Sequence, residues 1–569
     1  MAGDGEAPDP GAPPELDVSS VSLSEPGRDL AAGAGLEDAP RYALAVDLKP
    51  GRGDVVARMR ANLPAPGEQA ELHFRVFAGL PDLDAGLEVD DIMVNGDAVE
   101  ADVDGSLLTV PVPESARAGR VEVALRFSYR LPEVESGGGI LGGLGDTLDP
   151  AAVGLLARHQ GGATLGHWFP VWLPPASAAE PIPDGFGDIG NFPAAVFRAR
   201  ITVPEGFDVV SGGVNVEEQA ADGRVTFVEE GVGLRDLGIF AGHQRANEEV
   251  ANDSATVRVT GPRSEREQLA PVGEEAAASL ATFAATFGAY PWSELDVVSV
   301  PLGSGVAGME WPGMIWIESG TFAGGIAGMG DLGDLEEIFE DLDLPPELSD
   351  VLEDLGLDEF EDLGLPGLGG LGSTREFVIA HEVAHQWWHA LVGNDSISAP
   401  VVDEPLAQFS ACIHFEQAHP DDAGAACALH TDGQYQSMRA LGEPDAPADQ
   451  PTDAFTSSLQ YGGVVYGKAP GLYRALGAAL GPDAVLAGLR AFTSANAFGV
   501  ASSDDLRAAL AGAAPERAAE VDALWQRWIE EAHGDEDLGA GEVPGGLDPE
   551  DLEEFEDVLE QLLESAGGR

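Results

Sequence analysis

His381, Glu382 and His385 form a His-Glu-x-x-His pattern that could hold and use a metal ion. Two histidines four residues apart lie on one face of a helix, so their imidazoles can converge on one ion. Glu404 follows His385 after 18 residues, positions 386 to 403, and completes a His, His, Glu ligand set. A catalytic zinc site has three such protein ligands and one open position for water. The sequence therefore predicts one zinc ion per chain.

Glu382 is expected to act as a base and not as a ligand. It stands next to the first histidine, where its carboxylate can take a proton from the metal-bound water and return it to a leaving amine. The simpler interpretation is a buried helix whose histidines are hydrogen-bonded, but the extended pattern through Glu404 argues against chance. Gly393-Asn394 predicts the end of this helix. Apolar residues at helical spacing flank the histidines, namely Phe377, Val378, Ala384, Trp387, Trp388 and Leu391.

Three segments resemble the gluzincin aminopeptidases, the family of aminopeptidase N, and most closely its compact secreted bacterial members. The first is the stretch HEVAHQWWHALVGNDSISAPVVDEPLAQFSA. In the second, Gly308, Met309 and Glu310 stand where the family's Gly-x-Met-Glu-Asn motif holds the free amino terminus of a peptide. In the third, Tyr466 stands where the family has the tyrosine that stabilises the tetrahedral intermediate. The resemblance extends more weakly from about Arg41 to Glu531.

The resemblance implies roles for Glu310 and Tyr466. A fixed carboxylate beside the scissile bond binds a protonated α-amine and sets the cut one residue in. A phenol donor aimed at the developing oxyanion stabilises its charge. The simpler interpretations are a strand-end carboxylate facing water and a packed aromatic ring. Tyr461 and Tyr473 are nearby competitors, but the Tyr-x-Lys pattern of the family falls at Tyr466.

Some positions depart from the family pattern. Trp311 stands where the substrate motif commonly has asparagine. Pro405 replaces a common glycine and predicts that Glu404 lies at a helix N-terminus.

Neighbours of the ligands have predicted supporting roles. Gln408 and Asp403 are candidates for orienting the ligands, while His389 is interpreted as a pocket or packing residue, because a fourth protein ligand would close the site. His167, in a His-Trp-Phe-Pro segment, is interpreted as structural and not as a second metal site.

Composition bounds the partners and the environment. The formal net charge is -70, with 99 acidic and 29 basic residues. Self-repulsion of this size is screened by salt, which indicates a halophilic source. Such a surface repels nucleic acid and anionic lipid, which excludes both as partners. The family resemblance implies peptides with a free N-terminus as the partners, and a monomer is expected. The chain shows no membrane-spanning stretch and no export signal, yet the family resemblance favours a secreted or tethered extracytoplasmic protein over a cytoplasmic one.

The predicted fold class is α+β. Residues 1–40 read as a flexible Pro-rich linker, 41–246 as an antiparallel β domain, 247–535 as a thermolysin-like, mostly α catalytic domain, and 536–569 as an acidic tail with an amphipathic helix. The helical solenoid of larger aminopeptidases is absent. Spacing leaves open whether Cys412 and Cys427 form a disulfide or remain two buried thiols.

An acidic insert, residues 320–374, separates the substrate motif from the zinc helix and contains two amphipathic stretches. It is interpreted either as a solvated elaboration or as a lid or docking helix near the cleft. For the whole chain, the leading hypothesis is a zinc aminopeptidase. The alternatives are an endopeptidase on the same scaffold and a non-catalytic peptide-binding module. Side-chain preference at the cleavage site does not follow from the sequence.

Overall fold

The computed structural model describes residues 9–134, 153–174, 190, 192–324 and 371–541. The described strands are β1 (Arg41–Lys49), β2 (Asp54–Leu63), β3 (Glu71–Arg75), β4 (Glu88–Val94), β5 (Asp97–Ala98), β6 (Asp102–Asp104), β7 (Leu107–Pro111), β8 (Val121–Arg130), β9 (Leu156–His159), β10 (Gly162–Leu165), β11 (Val171–Leu173), β12 (Ala195–Pro204), β13 (Phe207–Ser211), β14 (Val214–Ala221), β15 (Arg224–Leu234), β16 (Ile239–His243), β17 (Arg245–Ala251), β18 (Thr256–Pro262), β19 (Glu294–Val300), β20 (Gly308–Trp311) and β21 (Met314–Glu318).

The helices follow mainly in the second half of the chain. They are α1 (Glu25–Gly33), α2 (Leu269–Phe287), α3 (Ser319–Ala323), α4 (Leu371–Ala384), α5 (Glu404–Ala418), α6 (Ala423–His430), α7 (Asp432–Ala440), α8 (Ser458–Tyr461), α9 (Gly471–Leu480), α10 (Pro482–Asn496), α11 (Ser503–Ala513), α12 (Ala518–Trp525) and α13 (Gly534–Asp537). Two π-helical segments continue α8 and α12, Gly462–Lys468 and Gln526–Glu530. Short 3-10 helices lie at Ser20–Ser22, Leu36–Asp38, Phe77–Gly79, Pro81–Leu83, Glu114–Ala116, Arg263–Gln268, Thr452–Ala454 and Pro515–Arg517.

Strands β1 to β16 build three sheets, with an eight-stranded sheet in the order β14-β15-β12-β1-β2-β8-β4-β5. Alternation of apolar and polar residues drives this arrangement: in β8 every second side chain is buried. Most neighbours are antiparallel, as predicted, but β1 pairs with β12 in parallel. Alternation reports which face of a strand is buried and carries no information on the direction of its neighbour, so this pairing was not predictable.

The N-terminal segment differs from the predicted flexible linker. Residues 20–38 contain α1 between two 3-10 helices, and Leu23 is buried in a bridge with Trp292. Ser24 caps α1 and also donates to the carbonyl of Tyr290 at 2.9 Å. The Pro/Gly/Asp composition predicts a tether, but Leu23 and main-chain hydrogen bonds fix this segment against residues 290–293.

The second half begins with a mixed sheet in the order β17-β18-β19-β21-β20. Strands β18, β19 and β21 are parallel, and β20 forms an antiparallel edge. Helix α2 packs on this sheet and on α4, and α4 in turn packs on α5. An edge strand beside a helix pair is therefore available to border a cleft. The predicted α+β class, with a β domain before a mostly helical domain, is confirmed, and no helical solenoid is present among the described residues.

Several smaller expectations also have outcomes. Cys412 of α5 and Cys427 of α6 form a disulfide, with their Cα atoms 5.4 Å apart, which settles the open alternative. The acidic insert starts later than expected, because Thr321 and Phe322 are buried in α3. The rest of the insert, 325–370, and the tail, 542–569, lie outside the described residues, together with their amphipathic stretches. No described helix has the length and apolarity needed to cross a membrane.

Candidate active site

Helices α4 and α5 bring the three predicted zinc ligands together. The Nε2 atoms of His381 and His385 are 3.0 Å apart, and Oε2 of Glu404 lies 3.3 Å from the first and 3.4 Å from the second. A tetrahedral ion with bonds of about 2.0 to 2.1 Å needs ligand atoms about 3.3 to 3.4 Å apart. Helix α5 begins at Glu404, as Pro405 predicts, so the carboxylate enters from a helix N-terminus. The spacing of the three atoms fits a zinc ion.

Hydrogen bonds orient both imidazoles for metal binding. Nδ1 of His385 lies 2.9 Å from the carbonyl oxygen of Trp388, and Nδ1 of His381 lies 3.1 Å from Oε1 of Gln408. The amide of Gln408 is itself fixed, because its Nε2 donates to the carbonyl of His430 at 2.8 Å. Both Nδ1 atoms therefore face acceptors and carry the proton, which leaves both Nε2 lone pairs pointing at each other.

The converging atoms need a cation between them. Oε2 of Glu404 is buried and accepts no hydrogen bond within the described residues, and two bare Nε2 atoms face it. Three lone pairs at this separation repel unless a positive charge sits among them. The residues present therefore fit zinc by spacing, by donor type and by orientation.

The protonation tendencies of the ligands agree with this assignment. Burial lowers the pKa of His381, which favours the neutral imidazole that a metal requires. Burial would raise the pKa of Glu404, but the two neighbouring imidazoles, His385 first, outweigh burial and lower this pKa. Burial also opposes charge on His385, but the surrounding carboxylates, Glu310 first, raise its pKa well above the usual value. The centre of the site thus favours a positive charge.

Glu382 faces the edge strand β20. It is buried, and a Cβ atom added to Gly308 would lie 2.6 Å from both its Cγ and its Cδ. That separation is shorter than any ordinary carbon contact, which is about 3.5 to 4.0 Å. Gly308 was predicted to leave room for a peptide; in the structure the missing side chain makes room for the Glu382 carboxylate.

Glu310 lies on the same edge strand and close to Glu382. Oxygen atoms of these two carboxylates and a ring nitrogen of His385 lie within 4.8 Å of one another. Glu310 is buried, so the interpretation of a carboxylate facing water is wrong. Met309, its neighbour, pairs with Trp316 of β21 and is also buried. The strand therefore directs the Glu310 carboxylate towards Glu382 and His385.

Trp311, the residue of β20 that departs from the family motif, packs inside the fold. Its ring is buried against Trp316, at 4.8 Å between centroids, and against His167, at 5.0 Å. Gln386 fixes the turn beyond it by donating to the Trp311 carbonyl and accepting from Gly313 N, both at 2.9 Å. The indole thus serves packing between the two domains. His167 is buried as well, and its Nδ1 lies 2.6 Å from Oδ2 of Asp236.

Tyr466 lies against the zinc ligands, on the π-helical segment. Its ring is stacked 5.9 Å from that of His381, whereas Tyr473 is buried against Phe409 and points into the helical core. Tyr461 packs edge-on to Tyr466 at 5.8 Å. Burial first, and the Glu404 carboxylate next, raise the pKa of Tyr466 well above its ordinary value. The phenol therefore stays protonated and remains a hydrogen-bond donor.

His389 adopts an unusual backbone conformation beside the site. Its φ of 110° belongs to the region that favours glycine. Nδ1 lies 3.6 Å from Oδ2 of Asp403 and 4.0 Å from Oε1 of Glu310. His389 therefore lies between the carboxylates of Glu310 and Asp403 in a strained backbone conformation. It belongs to neither group of described residues that could hold a metal ion.

Arg235 is a site-supporting residue that the sequence did not suggest. It leaves the end of β15, is buried, and donates to the carbonyls of His389, Ala390 and Leu391 at 2.7 to 3.1 Å. These carbonyls follow the zinc helix, which ends at Ala384 and not at Gly393 as predicted. The chain beyond it tightens into turns whose carbonyls a guanidinium can satisfy. The one sequence signal for burial of Arg235 is the apolar character of its neighbours Leu234 and Leu237.

The part of the chain that carries the predicted zinc ligands matches a known peptidase family model. Residues 373–528 match the model of the peptidase family M1 domain. This match confirms the predicted resemblance to the gluzincin peptidases and implies a zinc cofactor. No curated protein matches the sequence.

Solved structures share the fold at low sequence identity. The M1 zinc metallopeptidase from Deinococcus radiodurans is 15% identical with a TM-score of 0.59, over 90% of this chain and 96% of that one. A mutant two-domain M1 zinc metallopeptidase bound to L-arginine is 14% identical with a TM-score of 0.59, over 87% and 94%. A Deinococcus radiodurans mutant bound to a Tyr-Ser-Ala substrate is 14% identical with a TM-score of 0.56, over 86% and 94%.

Proposed function

We propose that this protein is a zinc aminopeptidase that removes N-terminal residues from peptides. The observation that carries the proposal is the buried Glu310 carboxylate, placed beside Glu382 and His385 on the edge strand. A carboxylate there can pair with a protonated α-amine while the first peptide bond reaches the base. Structural relatives bound to a free amino acid and to a tripeptide support a short peptide with a free terminus as the ligand.

Each residue has a distinct part in the reaction. When bound, zinc would supply Lewis-acid polarisation of the scissile carbonyl and lower the pKa of a water molecule. Glu382 takes the proton of the attacking water and delivers it to the leaving amine. Tyr466, held protonated by burial, donates to the developing oxyanion. Glu310 positions the substrate by its α-ammonium group.

Gln408 and Asp403 support the ligands. Gln408 fixes the tautomer and ring angle of His381, as described above. Asp403 accepts from the backbone N–H of Glu404 at 3.1 Å and thus sets the start of α5. Loss of either should loosen a ligand without removing a reacting group.

The disulfide supports an extracytoplasmic location, because such bonds persist in oxidising compartments. The net charge of -70 supports a salt-rich environment and argues against nucleic acid as a partner. A monomer remains the proposed oligomeric state.

The decisive experiment compares free and N-acetylated copies of one peptide, with product masses followed over time. The aminopeptidase proposal expects single-residue losses from the free peptide at a rate at least about a hundredfold above that for the blocked copy. Glu310→Gln should remove most of that preference, with the N-acetylated peptide as its internal control. Equal cleavage of the two copies would establish the endopeptidase alternative. A zinc-loaded chain that cleaves neither would instead be the peptide-binding module.

A further inference from the structure

A cavity lined by three arginines lies at the edge of the mixed sheet that is remote from the metal site. Its volume is about 320 Å³, and Arg245, Ala246, Asn247, Arg263 and Arg266 line it. The whole chain has only 29 basic residues against 99 acidic ones. Three arginines around one cavity are therefore a local reversal of the dominant charge, and such a reversal needs a physical reason.

The sheet and the following 3-10 helix bring the arginines together. Arg245 opens β17 opposite Pro262, the last residue of β18, so Arg263 follows at the same sheet end. The Nε of Arg263 donates to the carbonyl of Arg245 at 3.1 Å. Arg266 lies three residues further along the same segment, beyond a kink at Glu265. All three arginines border the same cavity.

Arg245 is held in place before any ligand arrives. Its guanidinium carbon lies 4.7 Å from the centroid of the Phe240 ring, and its Nη2 donates to the carbonyl of Ser299 at 2.6 Å. The buried Nε has no hydrogen-bond partner among the described residues. Burial lowers the pKa of Arg245 to about 10, so it keeps its charge at neutral pH. A fixed, charged donor with spare capacity is suited to an anion.

Neighbouring carboxylates do not neutralise the arginines. Glu265 and Asp208 interact with Arg245 through space, but no ion pair within 4.0 Å joins any of the three arginines to a described carboxylate. Elsewhere arginines do pair: Arg258, for example, contacts both Glu249 and Glu294. Three arginines beside two nearby carboxylates leave a local excess of positive charge, with donor groups that an anion can engage.

We propose that this cavity, which we name the arginine pocket, binds a tetrahedral dianionic oxyanion, either free phosphate or a small phosphate monoester. Guanidinium groups match the oxygens of such ions with paired, charge-assisted hydrogen bonds. The cavity volume is at the low end of small-molecule sites, about 300 to 1,000 Å³, which leaves room for the organic part of an ester. None of the residues that line the pocket belongs to the metal site. Ser299 of β19, which Arg245 contacts, is two strand steps from β20, about 10 Å at about 4.8 Å per step.

The test uses the full chain and inorganic phosphate, with methyl phosphate as the ester probe, at constant ionic strength in potassium chloride. Titration calorimetry should give saturable one-to-one binding with a Kd of about 1 mM or below. Arg266→Gln makes the cleanest variant, because Arg266 forms none of the described hydrogen bonds or ion pairs and its loss leaves the fold intact; it should weaken binding about tenfold. Arg28→Gln is the matched control, since Arg28 is exposed and donates only to the Leu23 carbonyl.

The calorimetric results for the parent and the two variants distinguish a specific phosphate site from non-specific binding. Saturable binding that weakens in Arg266→Gln and persists in Arg28→Gln supports the pocket, and tighter binding of methyl phosphate than of phosphate identifies an ester as the ligand. Non-saturable heat up to about 20 mM phosphate, or equal affinity in the parent and in Arg266→Gln, overturns it. Because phosphate also stabilises proteins by exclusion from their surface, a rise in the unfolding temperature counts only where Arg266→Gln abolishes it.

Discussion

Gly308→Ala tests whether the edge strand positions the general base. The added Cβ would stand 2.6 Å from Cγ and Cδ of Glu382, about 1 Å short of an ordinary contact. The Glu382 side chain must therefore move by about that much, and a shift of about 1 Å in a reacting group can cost about a hundredfold in rate. That factor corresponds to about 2.7 kcal/mol of transition-state stabilisation. We expect kcat to fall about a hundredfold with little change in KM.

The zinc content separates this effect from damage to the metal site. The atoms nearest the added Cβ all belong to Glu382 and none to a ligand, so zinc should stay stoichiometric by mass spectrometry under native conditions. Gly477→Ala is the matched control, because a Cβ there meets nothing within 4 Å. In a Glu382→Gln background, Gly308→Ala should add almost nothing, since both changes disable one group.

The reasoning fails if Gly308→Ala keeps more than about half of the parent kcat, or if it loses zinc. The first result would mean that Glu382 has room elsewhere or is not the base. The second would mean that β20 supports the ligands directly. A loss that is fully additive with Glu382→Gln would also refute it, because the two residues would then act independently.

Three further predictions concern the metal site, the buried Glu376 carboxylate and the net charge. Glu382→Gln should keep stoichiometric zinc and fall below about one per cent of parent turnover, while His385→Ala should lose the zinc itself, measured by metal analysis beside peptide hydrolysis. Burial would raise the pKa of Glu376, but hydrogen bonds from His414 and His419 at 2.8 to 3.0 Å outweigh it and lower the pKa. This stabilisation is present above the pKa of Glu376 in the unfolded chain and disappears as pH falls through the lower pKa of the folded protein. Glu376→Gln should therefore lower the free energy of unfolding by about 1.5 to 3 kcal/mol near pH 6, measured by denaturant titration. A difference from the parent that does not shrink below about pH 4 would contradict this prediction. With a net charge of -70, the unfolding temperature should climb steeply from about 0.05 to about 2 M potassium chloride, and a flat profile by calorimetry would remove the inference of a salt-adapted fold.

Local spacing made the metal ligands predictable. His381 and His385 share a helix face whatever surrounds them, and Pro405 marked the start of the helix that carries Glu404. The alternation of buried and partly exposed side chains in β8 is a signal of the same local kind. Each of these signals lies within a few residues along the chain, where geometry depends on backbone periodicity alone.

Other features were decided only when distant segments met. Gly308 stands 74 positions before Glu382, from 308 to 382, and its lack of a side chain acquires meaning only because β20 packs against α4. Arg235 lies in the β domain but satisfies carbonyls beyond the zinc helix. The parallel pairing of β1 with β12 and the convergence of Arg245 with Arg266 depend in the same way on sheet order.

One physical reason separates the features that the sequence predicts from those that only the tertiary structure decides. The sequence alone determined what each segment can do, since helix faces, strand alternation and ligand types follow from side-chain chemistry and backbone period. The tertiary structure decided which segments are neighbours, because contacts between residues far apart in sequence depend on the packing of the whole core, and many packings share one local pattern. The chemistry of the metal ligands was therefore visible in the chain, whereas the room for the base, the guanidinium behind the zinc helix and the arginine pocket exist only in the folded protein.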